Sequence, residues 1–421
     1  MLSTKLSRAW SSIVTSGFLR YLGPAVIVST AYIDPGNFGT DIAGGALYAY
    51  DILWVVWLAS IMAMVLQYLS GKLGIATGQS LADLLRERLK SRRRIVSFWL
   101  ACETFAVFTD LAELLGVALG LYLLFRIPLL IAAWISAFDV IIIFLLAGRK
   151  FRRIELLIAN FVTVIGIGYI YEIFLTKPNA MLVATHSVLP LIPSADAGLI
   201  AVGIIGATVM PHALVLHSWL AKNKLVTGDP EEKKRLLRYH RYETVSMLAI
   251  AGLMNGAILM MAAAAFNSRG LHVAAIEDAY RTLVPLFGLA AATIFAITLL
   301  SSGLSSSVCG VLAGQSMLEG FLGTRVNPWL RRIVIRVINV IPATIAITIG
   351  LNPLDLLVYS QVVLSLLIPL PLIPLLLFTK DRKRMGTMVN RKLLTAIGFL
   401  FCGIIVVFNV YLLLNLAGLT G

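Results

Sequence analysis

The chain has 421 residues, 59% of them hydrophobic and 13% charged, with a formal net charge of +14 and a mean hydropathy of +0.90. A soluble domain is nearer half apolar and a quarter charged, so an ordinary soluble enzyme or nucleic-acid-binding protein is excluded; the composition is that of a polytopic membrane protein. Cys102, Cys309 and Cys402 stand in separate apolar stretches without CxxC spacing, which supports neither a disulfide framework nor a thiolate metal site.

A spanning helix needs about 20 mostly apolar residues. Eleven candidates follow in chain order, near 23–46, 52–75, 97–124, 127–148, 154–176, 196–221, 243–266, 285–318, 330–350, 355–378 and 393–418. The basic stretch 1–20 ahead of them has no apolar core of its own and does not read as a cleavable signal peptide. With a cytoplasmic N-terminus and eleven crossings, the C-terminus lies outside. The basic clusters then fall inside: the leader, the loop after the second segment with Lys72 and "LRERLKSRRR", "GRKFRR", the 222–241 loop, the 325–336 region and "KDRKRMGTMVNRK". Of 35 Lys and Arg, only Arg126, Lys177, Arg269 and Arg281 fall elsewhere. This is the positive-inside pattern, and it explains the net charge without a nucleic-acid partner. The chain reads as one transmembrane domain, 1–421, embedded in the lipid bilayer of the cell membrane.

Two segments are interrupted. In the first, "AYIDPGNFGT" places Asp34 about 17 Å into the span, close to mid-membrane. Pro35 and Gly36 are poor helix formers, and a carboxylate at that depth costs roughly 2.5–3.5 kcal/mol, so it reads as functional. In the sixth, "GIIGATVMPHALVLHS" puts Pro211 near the midplane from the opposite direction. Breaks five helices apart suggest an inverted repeat, about 22–176 against 196–378, followed by an extra helix at 393–418. Such paired interruptions are the best sequence pointer to a transporter's binding site, with Pro35, Gly36 and Pro211 as hinges.

Asp34 offers a charged oxygen, Asn37 an amide oxygen, the Ala207 backbone a carbonyl and Met210 a thioether. Hard cations such as Mg2+ and Ca2+ favour all-oxygen sites, whereas a thioether favours transition metals, so the mixed set suggests Mn2+, Fe2+, Co2+ or similar ions. A methionine in an apolar helix is ordinarily packing. Its place beside a proline break, opposite DPGN, is what singles out Met210.

"DPGN" with "AxxMPH" (Ala207–His212) resembles the paired signature of the Nramp family, the natural resistance-associated macrophage proteins. The likeness runs through "QYLSGKLGIATGQ", "TDLAELLG", the stretch around Asn255 and "SQVVLSLLIPLPLIPLL", and covers essentially the whole chain. It implies an all-α, LeuT-like fold with a 5+5 inverted repeat, broken helices 1 and 6, and eleven spans. It also implies a proton-coupled importer of divalent transition metals working by alternating access, with metal and protons as transported substrates and no cofactor. The implied metal ligands are Asp34, Asn37, Ala207 and Met210, joined by Gln361 when the site closes. The alternatives are a sodium-coupled transporter of a small organic substrate and a magnesium-accepting relative. The retained Met210 speaks against the second. An enzyme is not expected, since no HExxH-like ligation occurs.

Proton coupling needs shielded titratable groups. Glu103, Asp110 and Glu113 fall on one face of the third segment at 100° per residue. Arg331 and Arg332, at the start of the ninth, are expected partners of the lower acids or else orientation anchors. His212 adjoins the metal site and His217 follows five residues later. In the family these positions resemble a proton route from Asp34 to the cytoplasm. Asn255 is expected to hydrogen-bond an unwound segment. His186, His240 and His272 read as loop residues, and Asp139 and Glu155 as salt-bridge partners of "GRKFRR".

Overall fold

A computed structural model describes residues 23–139, 151–224, 229–271, 275–324 and 326–419, with the backbone alone for 151–156, 224, 328, 329 and 332. Among the described residues every regular element is helical. Eight helices are long and apolar enough to cross a membrane: Leu53–Thr77, Arg92–Phe125, Leu157–Thr176, Ala195–Asn223, Pro230–Arg269, Leu289–Leu322, Pro353–Thr379 and Lys392–Leu416. The first segment escapes that criterion because it is broken. The fourth, read as 127–148, lies within the described residues only up to 139, and its described helix covers Leu129–Ser136.

The break in the first segment separates α1 (Pro24–Ala31) from α2 (Pro35–Tyr48). Asp34 caps α2, its Oδ1 accepting from the Asn37 N–H at 2.8 Å, and Pro35 takes the first helical position, where its missing N–H is no loss. The unwound residues are therefore Tyr32–Asp34, just ahead of the expected hinge pair Pro35 and Gly36. Two neighbouring helices satisfy the freed carbonyls. Asn255 donates to Tyr32 O at 3.0 Å and Ser302 to Ile33 O at 2.6 Å.

Next come α3 (Leu53–Thr77), the amphipathic α4 (Leu81–Leu89) and α5 (Arg92–Phe125), which begins five residues earlier than the apolar run suggests. Ser80 and Asp83 form a capping box on α4. Burial alone would raise the Asp83 carboxyl, but the Lys222 ammonium at 2.6 Å and the Ser80 N–H and O–H hold it below its ordinary value. After α6 (Leu129–Ser136) and α7 (Phe151–Thr176) lies α8 (Ala180–Val188), a surface helix that the apolar pattern did not reveal.

The sixth segment is α9 (Ala195–Val209) and α10 (Pro211–Lys224), parted at Met210 with φ 36° and ψ 104°. Proline excludes the helical region for the residue before it, so Pro211 forces the break one position upstream. A left-handed φ on a side-chain-bearing residue costs about 1–2 kcal/mol. Helix α11 (Pro230–Ala265) starts thirteen residues before the expected span. Most of the expected 222–241 loop is thus its first turns, capped by Asp229 with Pro230 at the first position and Glu231 and Glu232 behind it.

The long eighth segment divides at Gly288, whose φ of 89° suits glycine, into α12 (Ile276–Phe287) and α13 (Leu289–Met317). Then follow α14 (Pro328–Thr348), α15 (Pro353–Leu367), α16 (Pro369–Thr379) and α17 (Lys392–Leu416). The breaks sit centrally: α9 packs on α15 and α3, α13 on α5 and α7, and α11 on α2 and α3. Large apolar side chains such as Ile167, Phe174, Val407 and Leu416 face outward on α7 and α17, as a lipid-facing surface requires. The three cysteines are buried and unpaired.

Candidate functional site

Both interruptions meet at one point. Asn37 Nδ2 donates to Asp34 Oδ1 at 2.8 Å and to the Ala207 carbonyl at 3.0 Å, tying the head of α2 to the tail of α9. Its Oδ1 accepts from Thr208 and Asn255, each at 3.1 Å. Gln361 reaches in from α15. A Cβ on Gly36 would lie 2.2 Å from Gln361 Nε2, and one on Gly206 would strike the Gln361 carbonyl, so these glycines let α2, α9 and α15 close on each other. Asp34, Asn37, Ala207, Met210 and Gln361 are all buried. The structure thus gathers the five expected ligands around the two breaks.

Among the expected ligands two buried side-chain oxygens, Asp34 Oδ2 and Gln361 Oε1, accept no hydrogen bond from the described residues. Unmet acceptors in a dry site are costly unless something positive faces them. Among the described residues no cluster of three or more His, Cys, Asp or Glu is arranged to hold a metal. A cation at this point would rest on one carboxylate, amide and backbone oxygens, and the thioether.

The acids of α5 lead away from this point. His212, the residue after Pro211, places Nδ1 at 3.1 Å from Thr109 Oγ1, joining α10 to α5 one residue before Asp110. At the centre of the acids lies Arg336 of α14, wholly buried. Its guanidinium stands 3.5 Å from Asp110, 3.8 Å from Glu113 and 2.6 Å from Asp139, and donates to the Asp110 carbonyl at 2.8 Å. Asn339, one turn along α14, donates to Asp110 Oδ2 at 2.6 Å. Nearer the start of α14, Arg331 pairs with Glu103; the Arg332 side chain lies outside the described residues.

Two expectations need correcting. Arg336, counted among the cytoplasmic basic residues, is the principal partner of the α5 acids. Asp139 meets Arg336 and Ser307, while its expected pairing with "GRKFRR", and that of Glu155, involves side chains outside the described set. His240 is no loop residue: it is buried in α11, 4.9 Å edge-on from His217. His217 Nδ1 in turn meets Gln67 Oε1 at 3.0 Å, and Gln67 donates to the Tyr32 hydroxyl at 2.7 Å. His217 therefore joins a second polar chain, on the α3 side of the break. His186 lies on α8 near Asp51 at 3.3 Å, and His272 lies outside the described residues.

Asn339 was missed because it is a single polar residue in an apolar run, and Thr109 because it stands beside the more conspicuous Asp110. For Arg336 a signal did exist, since it stands eight residues inside a helix that otherwise reads as membrane.

Apolar helices broken around a buried polar site are the arrangement of a membrane transporter. The MhsT structure in complex with L-phenylalanine shares the fold, with a TM-score of 0.59 at 14% identity, covering 94% of this chain and 98% of that one. The family described as natural resistance-associated macrophage protein-like matches residues 25–415, and the chain belongs to that family. It is 44% identical over 415 residues to the divalent metal cation transporter MntH of Granulibacter bethesdensis, covering 98% of this chain and 91% of the relative. The crystal structure of the Eremococcus coleocola manganese transporter, in complex with an aromatic bis-isothiourea substituted compound, superposes with a TM-score of 0.85 at 32% identity. That match covers 96% of this chain and 87% of the other.

Proposed function

We propose that the chain imports divalent transition metal ions, Mn2+ and Fe2+ among them, across the cell membrane in symport with protons, by alternating access. The observation that carries this is the pair of unmet oxygens, Asp34 Oδ2 and Gln361 Oε1, buried where two broken helices cross. The names borne by the MntH relative and the Eremococcus transporter support it. Asp34, Asn37, the Ala207 carbonyl, Met210 and Gln361 hold the ion. Turning the Asn37 amide by 180° replaces its NH2 group, now on Asp34 and Ala207, with an oxygen aimed at the same place. The Met210 sulfur adds little for Ca2+ or Mg2+ and more for a softer ion, so it favours the transition metals.

Ligation requires the deprotonated carboxylate, so metal arrival displaces a proton from Asp34. His212 and Thr109 carry it toward Glu113 and Asp110, and Arg336 keeps that region charged and ordered. Glu103 and Arg331 form the far end. We place the N-terminus in the cytoplasm, so that this end faces inward and a potential negative inside draws the cation in, at about 2.3 kcal/mol per charge per 100 mV. His217, on the separate Gln67–Tyr32 chain, borders the site rather than this route. The unwound residues Tyr32–Asp34 and Met210, each followed by a rigid proline, are the points about which the half-helices tilt.

The test is uptake of radioactive Mn2+ by proteoliposomes of the purified chain, with and without an inward proton gradient. Uptake that the gradient stimulates and that acidifies the lumen is expected. Metal uptake indifferent to the gradient overturns the coupling, and absence of metal uptake from folded protein overturns the function.

A further inference from the structure

Lys72 sits outside both chains described above. It lies within α3, not in the loop to which its charge was first assigned, and is only 5% exposed. Its ammonium donates to Asn390 Oδ1 at 2.6 Å, a neutral amide, where a buried cation ordinarily has an anion. Beside it opens a cleft of about 570 Å3 whose rim also carries Lys234, Arg241 and Arg391. A smaller recess of about 230 Å3 adjoins it and adds Arg238. Among the described ion pairs only Lys234 of these five bonds a carboxylate, Glu231 at 2.6 Å on its own exposed turn.

The cleft runs from charged to apolar in one direction. Arg391 directly precedes α17, and Leu394, three residues on, shares its face. Arg241 of α11 is followed one turn deeper by Val245, which also lines the cleft. On α3, which arrives from the opposite direction, Val65 lies two turns deeper than Lys72, about 10 Å along the helix axis. Three helices thus each present a cation at one level and an apolar side chain below it, on the same wall. An orientation signal needs only charge at the helix ends, and explains neither the burial of Lys72 nor this layering.

We propose that this cleft is a binding site for an anionic glycerophospholipid of the surrounding leaflet. Its phosphate sits among Lys72, Arg241 and Arg391, and one acyl chain lies along Val65, Val245 and Leu394. Each Lys or Arg near an anionic headgroup is worth about fivefold in binding. Tyr68, also in the cleft, stacks at 5.8 Å on His240, which meets His217, so the lipid stands two rings from the α10 half-helix.

The test uses the full-length protein, delipidated in detergent and titrated with phosphatidylglycerol or with phosphatidylcholine of the same acyl chains. Native mass spectrometry counts retained lipid, and the thermal midpoint reports stabilisation. Phosphatidylglycerol should be retained in preference to phosphatidylcholine. Arg241→Gln and Arg391→Gln, both on exposed residues, should each weaken retention about fivefold, and the double variant about 25-fold. Equal retention of the two lipids, or an unchanged double variant, overturns the proposal. So does an equal midpoint shift with inorganic phosphate alone, which would make the cleft a site for the free anion.

Discussion

Two buried polar centres lie within the same bundle and are built on opposite terms. Around Arg336, a cation belonging to the chain faces Asp110, Glu113 and Asp139, with Ser307 accepting from the guanidinium and Asn339 donating to Asp110. Around Asp34 the chain supplies oxygens and a sulfur but no cation of its own, and two oxygens go unmet. The first centre is fixed, because breaking it strands charge in a dry interior. The second is left incomplete, as the proposed site for an ion that is taken up and released would be. Burying an acceptor without a partner is costly, and a bound cation would remove that cost.

Substitutions can break this contrast. Arg336→Met should have the largest effect, lowering stability by about 3–5 kcal/mol because it removes a buried cation that faces three acids. A fluorescence-monitored thermal unfolding curve checks it, and a midpoint unchanged from the native chain would mean the centre is not held by charge. Asp34→Asn should leave that curve nearly unmoved while reducing Mn2+ uptake by well over 100-fold. Partners outside a metal's own ligands are already worth roughly 10–100-fold, and Asp34 is the one carboxylate among the proposed ligands. Retained uptake would erase the distinction between the two centres.

Met210→Ala sharpens the comparison. Mn2+ uptake should fall by less than about tenfold while competition by Ca2+ and Mg2+ rises, because a site of oxygens alone suits hard ions. Competition assays at fixed Mn2+ read this out, and unchanged selectivity would leave the sulfur a packing role. The smallest effect is expected at Asp83, outside the spans. Its carboxyl is held below its ordinary value in the fold, so its contribution is present above about pH 4 and lost as pH falls through the lower folded value. Asp83→Asn should therefore cost about 1–2 kcal/mol at pH 7 and progressively less as the pH falls below about 4, as a pH series of unfolding midpoints would show.

What was legible in the sequence was the backbone event. DPGN and MPH interrupt apolar runs, and no tertiary information is needed to see that a helix breaks there. Proline's influence on its neighbour then put the actual bends at Tyr32–Asp34 and Met210, a step upstream of the expected hinges. Illegible was how charge is shared between helices. Arg336 carries the same letter as the arginines of "LRERLKSRRR", and counting it by topology hid it despite its depth in the ninth segment, since the facing acids of α5 exist only in three dimensions. His240 was misplaced for a related reason. The polar start of α11 has a loop's composition, although Asp229, Pro230 and Glu231 spell a helix start. The α12–α13 division was hidden because Gly288 follows an apolar run that continues without a drop in hydropathy.

Met210 occupies the single residue between two half-helices and carries a backbone angle that most side chains avoid. The sulfur proposed to choose the ion is mounted on the joint proposed to move it. Glycine would relax the angle but removes the donor, and a β-branched residue would stiffen the joint as well as change its chemistry. Discrimination and turnover speed are therefore written into the same codon, and tuning one by mutation in this chain will retune the other.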